Sequence, residues 1–105
     1  MESAAFTDPA GAFSAIFQFA RGVSFRRESF GGILYHYEGI KPDPKMVFVP
    51  SPFLCGLLER MEQGPLRDLI DASAHRFGLE PMQVKQIEAF FSDLIQQGAI
   101  VESPC

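Results

Sequence analysis

At Pro50 the apolar pattern of this chain changes its period, and that switch restricts the fold more than any other feature. Before it, apolar and aromatic residues fall in short alternating or continuous runs, as strands require. Val23-Ser24-Phe25-Arg26 alternates. Ile33–Tyr37 is a β-branched and aromatic run opened by Gly31-Gly32, and Met46–Val49 is a third run closed by Pro50. Between the last two, Pro42, Asp43 and Pro44 exclude a central strand and mark a loop. After Pro50 the spacing is helical. Ser51 suits an N-cap with Pro52 at the first helical position, and Phe53, Leu54, Leu57, Leu58 and Met61 share a face until Gly64 breaks the run. Leu66, Leu69, Ile70, Ala74 and Phe77 outline a second helix ended by Gly78. Pro81 opens a third, which runs to about Gln97 and is closed by Gly98, with Ala99–Val101 as a short extended tail. Strands first and helices afterwards predict an α+β domain: a three-stranded antiparallel sheet followed by three helices that cover one of its faces.

Residues 1–20 stand apart from this plan. Asp8-Pro9 fits the cap of a short helix with Phe13, Ile16 and Phe17 as its apolar side, weakened by Gly11. The reading is an N-terminal extension, 1–16, laid against a domain of 17–102. The sheet gives the extension something to do. Ile33, Tyr35 and Tyr37 oppose Leu34 and His36, while Met46 and Phe48 oppose Val47 and Val49, so both faces are partly apolar. Helices supply cover for one face, and the aromatic extension is the nearest cover for the other.

Length and charge narrow the function. A chain of 105 residues is one domain, too short to wrap a large substrate cavity around a core. Its net charge of −4 argues against a nucleic-acid partner, because neutralising phosphates needs a basic face. The charge is uneven: 21–45 carries five basic residues against three acidic, and 46–105 four against eight. Cys55 sits in an apolar helical run and Cys105 ends the chain, an arrangement that favours two free thiols in a reducing compartment. The stretch Ala10–Ala20 is interrupted by Gly11, Ser14 and Gln18, too short and too polar for a membrane span. A cytoplasmic protein is expected.

Catalytic chemistry finds no foothold in the spacing. Neither His36 nor His75 has a cysteine or carboxylate at metal-ligand separation, and Asp71 with His75 reads as a weak i, i+4 ion pair. Asp68 and Asp71 lie near Arg67 and Arg76, which makes a solvated charged face. Gly31-Gly32 precedes a strand and lacks the helix N-terminus of a phosphate cradle, and Cys55 has no base within a turn. The expectation is a non-enzyme with no cofactor and no metal.

What remains is backbone chemistry. A three-stranded meander has two edges of unpaired N–H and C=O groups, and Met46–Val49 carries no charge to blunt its own. Such an edge is a template for an added peptide strand. The third helix has apolar surface to spare. At about 100° per residue, Val84, Ile95, Phe91, Ile87, Leu94 and Phe90 span an arc roughly 140° wide, against the ~100° one core needs. Strand edge and helix together outline a groove.

The run Val23-Ser-Phe-Arg-Arg-Glu-Ser-Phe-Gly-Gly-Ile-Leu-Tyr-His-Tyr37 resembles the mycofactocin precursor-peptide chaperones, which carry a similar R-x-E-x-F-G-G-x-x-Y-H-Y stretch. The likeness continues through Lys41–Lys45 and Phe48–Phe53, then more weakly along the helices to Ile100, where it is to the broader PqqD-like superfamily. That resemblance implies a RiPP recognition element of winged-helix-like topology. In such domains the leader of a ribosomally made precursor peptide adds to the third strand beside the third helix. The complex is then presented to a radical SAM maturase. The implied contacts fall on Met46, Val47, Phe48 and Val49 in the strand and on Val84, Lys85, Ile87, Glu88, Phe91 and Ile95 in the helix, with the Val84–Phe91–Ile95 side preferred. On this reading Phe48→Ala or Phe91→Asp weakens leader binding and leaves the helical signal intact. The rivals are a winged-helix DNA-binding regulator, disfavoured because Lys85 is the lone cation of the third helix beside Glu88 and Asp93, and a generic protein–protein adaptor.

Overall fold

The computed structural model describes residues 13–37 and 45–103. They form an α+β domain with two antiparallel sheets and three α-helices. The elements run β1 (Phe17–Phe19), β2 (Val23–Glu28), β3 (Gly31–His36), β4 (Lys45–Val49), α1 (Pro52–Arg60), a 3₁₀ turn (Met61–Gln63), α2 (Leu66–Phe77), α3 (Pro81–Gln97) and β5 (Ile100–Glu102).

β2, β3 and β4 make the expected meander, in that order, with Phe25 opposite Leu34 and Leu34 opposite Val47. The two-residue turn Ser29-Phe30 joins β2 to β3. Gly31 follows it with φ +151°, and a Cβ there would run into the carbonyl oxygen of Val49. A Cβ at Gly32 would press on the Phe25 ring. Both glycines let backbone and ring approach closely, a stricter demand than a tight turn makes.

The helices begin and end where their capping chemistry lies. The Ser51 hydroxyl accepts from the Leu54 N–H (3.2 Å) ahead of Pro52, and the Gln83 side chain accepts from the Glu80 N–H (2.8 Å) ahead of Pro81. Gly78 (φ +62°) and Gly98 (φ +75°) take the left-handed turn that stops α2 and α3. One face of each helix joins a common core: Leu54, Leu57 and Leu58 of α1, Leu66 and Ile70 of α2, and Ile87, Phe91 and Leu94 of α3. Leu34 and Val49 reach into it from the sheet.

Two expectations change. Residues 13–16 are not helical, and Phe17–Phe19 is a strand paired with β5, Phe17 opposite Glu102 and Phe19 opposite Ile100. The tail Ala99–Val101 is therefore half of a ribbon, fastened further by Ala20 N–H to Ala99 O (2.9 Å) and Ser103 N–H to Ile16 O (2.7 Å). Phe13 and Phe17 are core residues, so the domain's packing starts before 17. The reason lies at α2, whose N-cap is Pro65 and offers no side-chain cap. The carbonyls of Phe13 and Ala15 accept from the Arg67 and Leu66 N–H groups instead (2.7 and 3.1 Å). Residues 1–12, including the expected Asp8-Pro9 cap, and 38–44, where the sequence predicts a loop at Pro42–Pro44, lie outside the described residues.

Candidate functional site

Among the described residues β4 is an edge strand, paired with β3 alone. Its side chains divide by parity. Val47 and Val49 turn inward, the latter fully buried, whereas Met46 and Phe48 point away from the helices and are 51 % and 61 % exposed. Phe30 lies against Phe48, ring centres 6.3 Å apart, and is itself half exposed. The outer face of the sheet is thus an open aromatic surface. Phe13 and Phe17, expected to help cover it, are spent on the core.

A pocket of about 530 Å³ opens where β4 ends. Pro50 and Ser51 leave the strand along one wall, followed by Phe53 and Leu54 of α1. Phe77 and Leu79, from the end of α2 and the turn after it, form a second wall. Gln83, Gln86, Ile87 and Phe90 of α3 form the third. Phe53 meets Phe77 edge to face (5.6 Å, 84°), and Phe90 meets Phe91 likewise (5.5 Å, 82°), so each of the three walls carries a ring held in an aromatic pair. No charged side chain lines the pocket. Ser51, Gln83 and Gln86 supply its few polar groups, the composition of a site that takes an apolar side chain and orients it by neutral hydrogen bonds.

The structure places the sequence-predicted helix residues unevenly. Ile87 lines the pocket. Lys85 is exposed, Val84 and Ile95 are half-buried against the core, and Phe91 is fully buried within it. Glu88 is held by Arg67 of α2 (2.8 Å). The preferred Val84–Phe91–Ile95 side is therefore turned inward, and Phe91→Asp would bury a carboxylate in the core rather than report on a groove. Arg67 shows why that side is taken: its guanidinium pairs with Glu88 and lies over the Phe13 ring, 5.7 Å from the centroid. Arg67 of α2, with Phe13 against its guanidinium, lies on the flank expected to be free. The open flank is the other end of the same arc, where Phe90 and Ile87 sit. Phe53, Phe77, Gln83 and Gln86 were missed. For Phe53 and Phe77 the signal is an apolar surplus in α1 and α2, which spacing alone assigns to a core, and Gln83 and Gln86 of α3 carry no signal in the sequence.

Electrostatics around the site is quiet. Asp71 pairs with Arg67 (3.2 Å) rather than with His75. The Arg27 guanidinium grips Glu59 through two hydrogen bonds (2.8 and 3.2 Å) and holds its carboxyl below the usual range. Burial pushes the Cys55 thiol up, as fits a core residue. Among the described residues no cluster of three or more His, Cys, Asp or Glu is placed to hold a metal, and no helix is long and apolar enough to cross a membrane. Comparison of the chain with protein-family models, with curated proteins and with solved structures gives no match.

Proposed function

We propose that this chain is a non-catalytic peptide-binding domain of the RiPP recognition element type, winged-helix-like and PqqD-like in topology. It holds the leader of a ribosomally made precursor peptide, of mycofactocin kind, and presents it to a radical SAM maturase in the cytoplasm. One observation carries the reading: an edge strand, uncharged over Met46–Val49 and unpaired on its outer edge among the described residues, that ends at a 530 Å³ pocket with no charged lining. Backbone hydrogen bonds to β4 supply register, at about 0.5–1.5 kcal/mol each. One or two apolar anchors, at roughly 1.5–3 kcal/mol apiece, supply much of the affinity. Against the cost of ordering the peptide, the sum corresponds to a Kd near micromolar.

Titration calorimetry of the full chain with a mycofactocin-type leader peptide tests it. Phe90→Ala and Phe53→Ala, each removing a pocket wall, are expected to weaken binding about tenfold or more. Absence of heat with the wild-type chain sinks the proposal. A second reading, a protein–protein adaptor, is favoured by the exposed Met46, Phe48 and Phe30. It predicts a partner whose binding is lost with Phe48→Asp and unaffected by Phe90→Ala.

A further inference from the structure

Phe77 is a wall of two concavities. The second, of about 220 Å³, lies between the end of α1 and the outer side of α2, and its polar lining is Arg60, Gln63, Ser73 and Arg76. Two guanidinium groups line it and no carboxylate does. Elsewhere the described arginines in ion pairs are compensated: Arg26 by Glu28, Arg27 by Glu59, Arg67 by Asp71 and Glu88. Among the described residues Arg60 and Arg76, like Arg21, enter no such pair. The Arg60 Nε is buried without a hydrogen-bond partner, as is the Nε of the paired Arg67, and Ser73, which lines the same pocket, is only 6 % exposed. The Arg76 guanidinium rests on the Phe77 ring, 5.4 Å from its centroid, against the side chain that lines both concavities. Glu59 feels the field of Arg60, but its oxygens are already held by Arg27. A buried donor needs an acceptor, and two uncompensated forks favour a planar oxyanion.

We infer that the Arg60–Arg76 pocket is an oxyanion subsite that takes the carboxylate of an Asp or Glu side chain on the same peptide whose apolar side chain fills the neighbouring groove. The inference rests on the groove reading above and adds the chemistry of the ligand: a large apolar residue and an acidic one, set to straddle Phe77. Carboxylate is the expected oxyanion because it is the one that the side chains of an unmodified ribosomal peptide carry.

Two measurements on the full chain test it, and they fail separately. In the first, the arginine Nε–H resonances of ¹⁵N-labelled protein are followed while sodium acetate, and separately inorganic phosphate, is added. Saturable shifts of Arg60 and Arg76 with acetate are expected. Uniform, unsaturable shifts of every arginine overturn the subsite, and a response to phosphate alone overturns the carboxylate. In the second, a displayed library of random peptides is selected on the wild-type chain. The expected winners carry Asp or Glu at a fixed spacing from a large apolar residue, and a winner binds R60Q/R76Q about tenfold more weakly. The exposed-site variant R76Q alone, with an unchanged circular dichroism spectrum, is expected to show part of that loss. Apolar enrichment without the acid overturns the subsite and leaves the groove standing. No enrichment of any kind overturns the groove and, with it, the peptide carboxylate.

Discussion

The two faces of the β2–β3–β4 sheet are built from similar residues and meet opposite surroundings. On the inner face, Phe25, Leu34, Val47 and Val49 pack against the helices, and two of the four are fully buried. On the outer face, Ile33 and Tyr35 are half-buried while Met46 and Phe48 stay more than half exposed. Composition does not separate the two faces, but connectivity does. The chain leaves β4 at Pro50, Ser51 caps α1 on the inner side, and every later element packs into the one core. α3 repeats the lesson within one helix, with Phe91 sealed on one flank and Phe90 opening to the pocket on the other. An apolar residue in such a chain therefore marks a contact, and only the path of the backbone says whether the contact is internal.

The sharpest way to break this comparison is to remove one aromatic from each side. Phe91→Ala is expected to cost about 3–5 kcal/mol of stability, from lost transfer energy and an unfilled cavity. Phe48→Ala is expected to stay within about 0.5 kcal/mol, because its ring is largely in water already. Chemical denaturation followed by circular dichroism measures both. Comparable costs would mean that the outer face is covered after all.

Much of the inner architecture was legible, and the reason is local. Ser51-Pro52, Pro81, Gly78 and Gly98 write helix boundaries into neighbouring residues, and the structure places the boundaries there. The β1–β5 ribbon was not legible, since strands of three residues at opposite ends of the chain have no short-range signal that they meet. The same gap misdirected the site. With Phe13 assigned to an extension, spacing leaves the flank of α3 that Arg67 holds free and favours the Val84–Phe91–Ile95 side over Phe90. The edge of β4 needed only its own uncharged run to be noticed. Its neighbouring walls, Phe53 and Phe77, come from two helices whose approach no spacing rule encodes.

A smaller effect tests how the sealed flank of α3 is held. Arg67 and Glu88 are each about four-fifths buried by side chain, and the pair joins α2 to α3 beside Phe13. Glu88→Gln keeps the shape and removes the charge, and a loss of about 1–2 kcal/mol is expected, limited because Asp71 remains as a partner for Arg67. Thermal unfolding of the variant reads it. An unchanged midpoint would mean that packing of Phe13 alone secures that flank.

The smallest effect compares two arginines that are neighbours in β2 and point to opposite faces. Arg26, outward, pairs with Glu28 of its own strand (2.7 Å), whereas Arg27, inward, reaches across to Glu59 of α1 (2.8 Å). Only the second tie connects sheet to helix. The hydrogen bonds from Arg27 lower the Glu59 carboxyl in the folded chain, opposed by some desolvation. A carboxyl with a lowered folded value stabilises above its unfolded value and loses that contribution as pH falls through the lowered one. Arg27→Gln should therefore narrow the gap between neutral and acid stability, by a small amount because both partners are 45 % exposed and salt screens them. Arg26→Gln, lying on the face that anchors no helix, should change the stability of the fold less than Arg27→Gln does. Equal changes for the two variants would remove the distinction between a strand that ties the inner layer together and one that merely borders solvent.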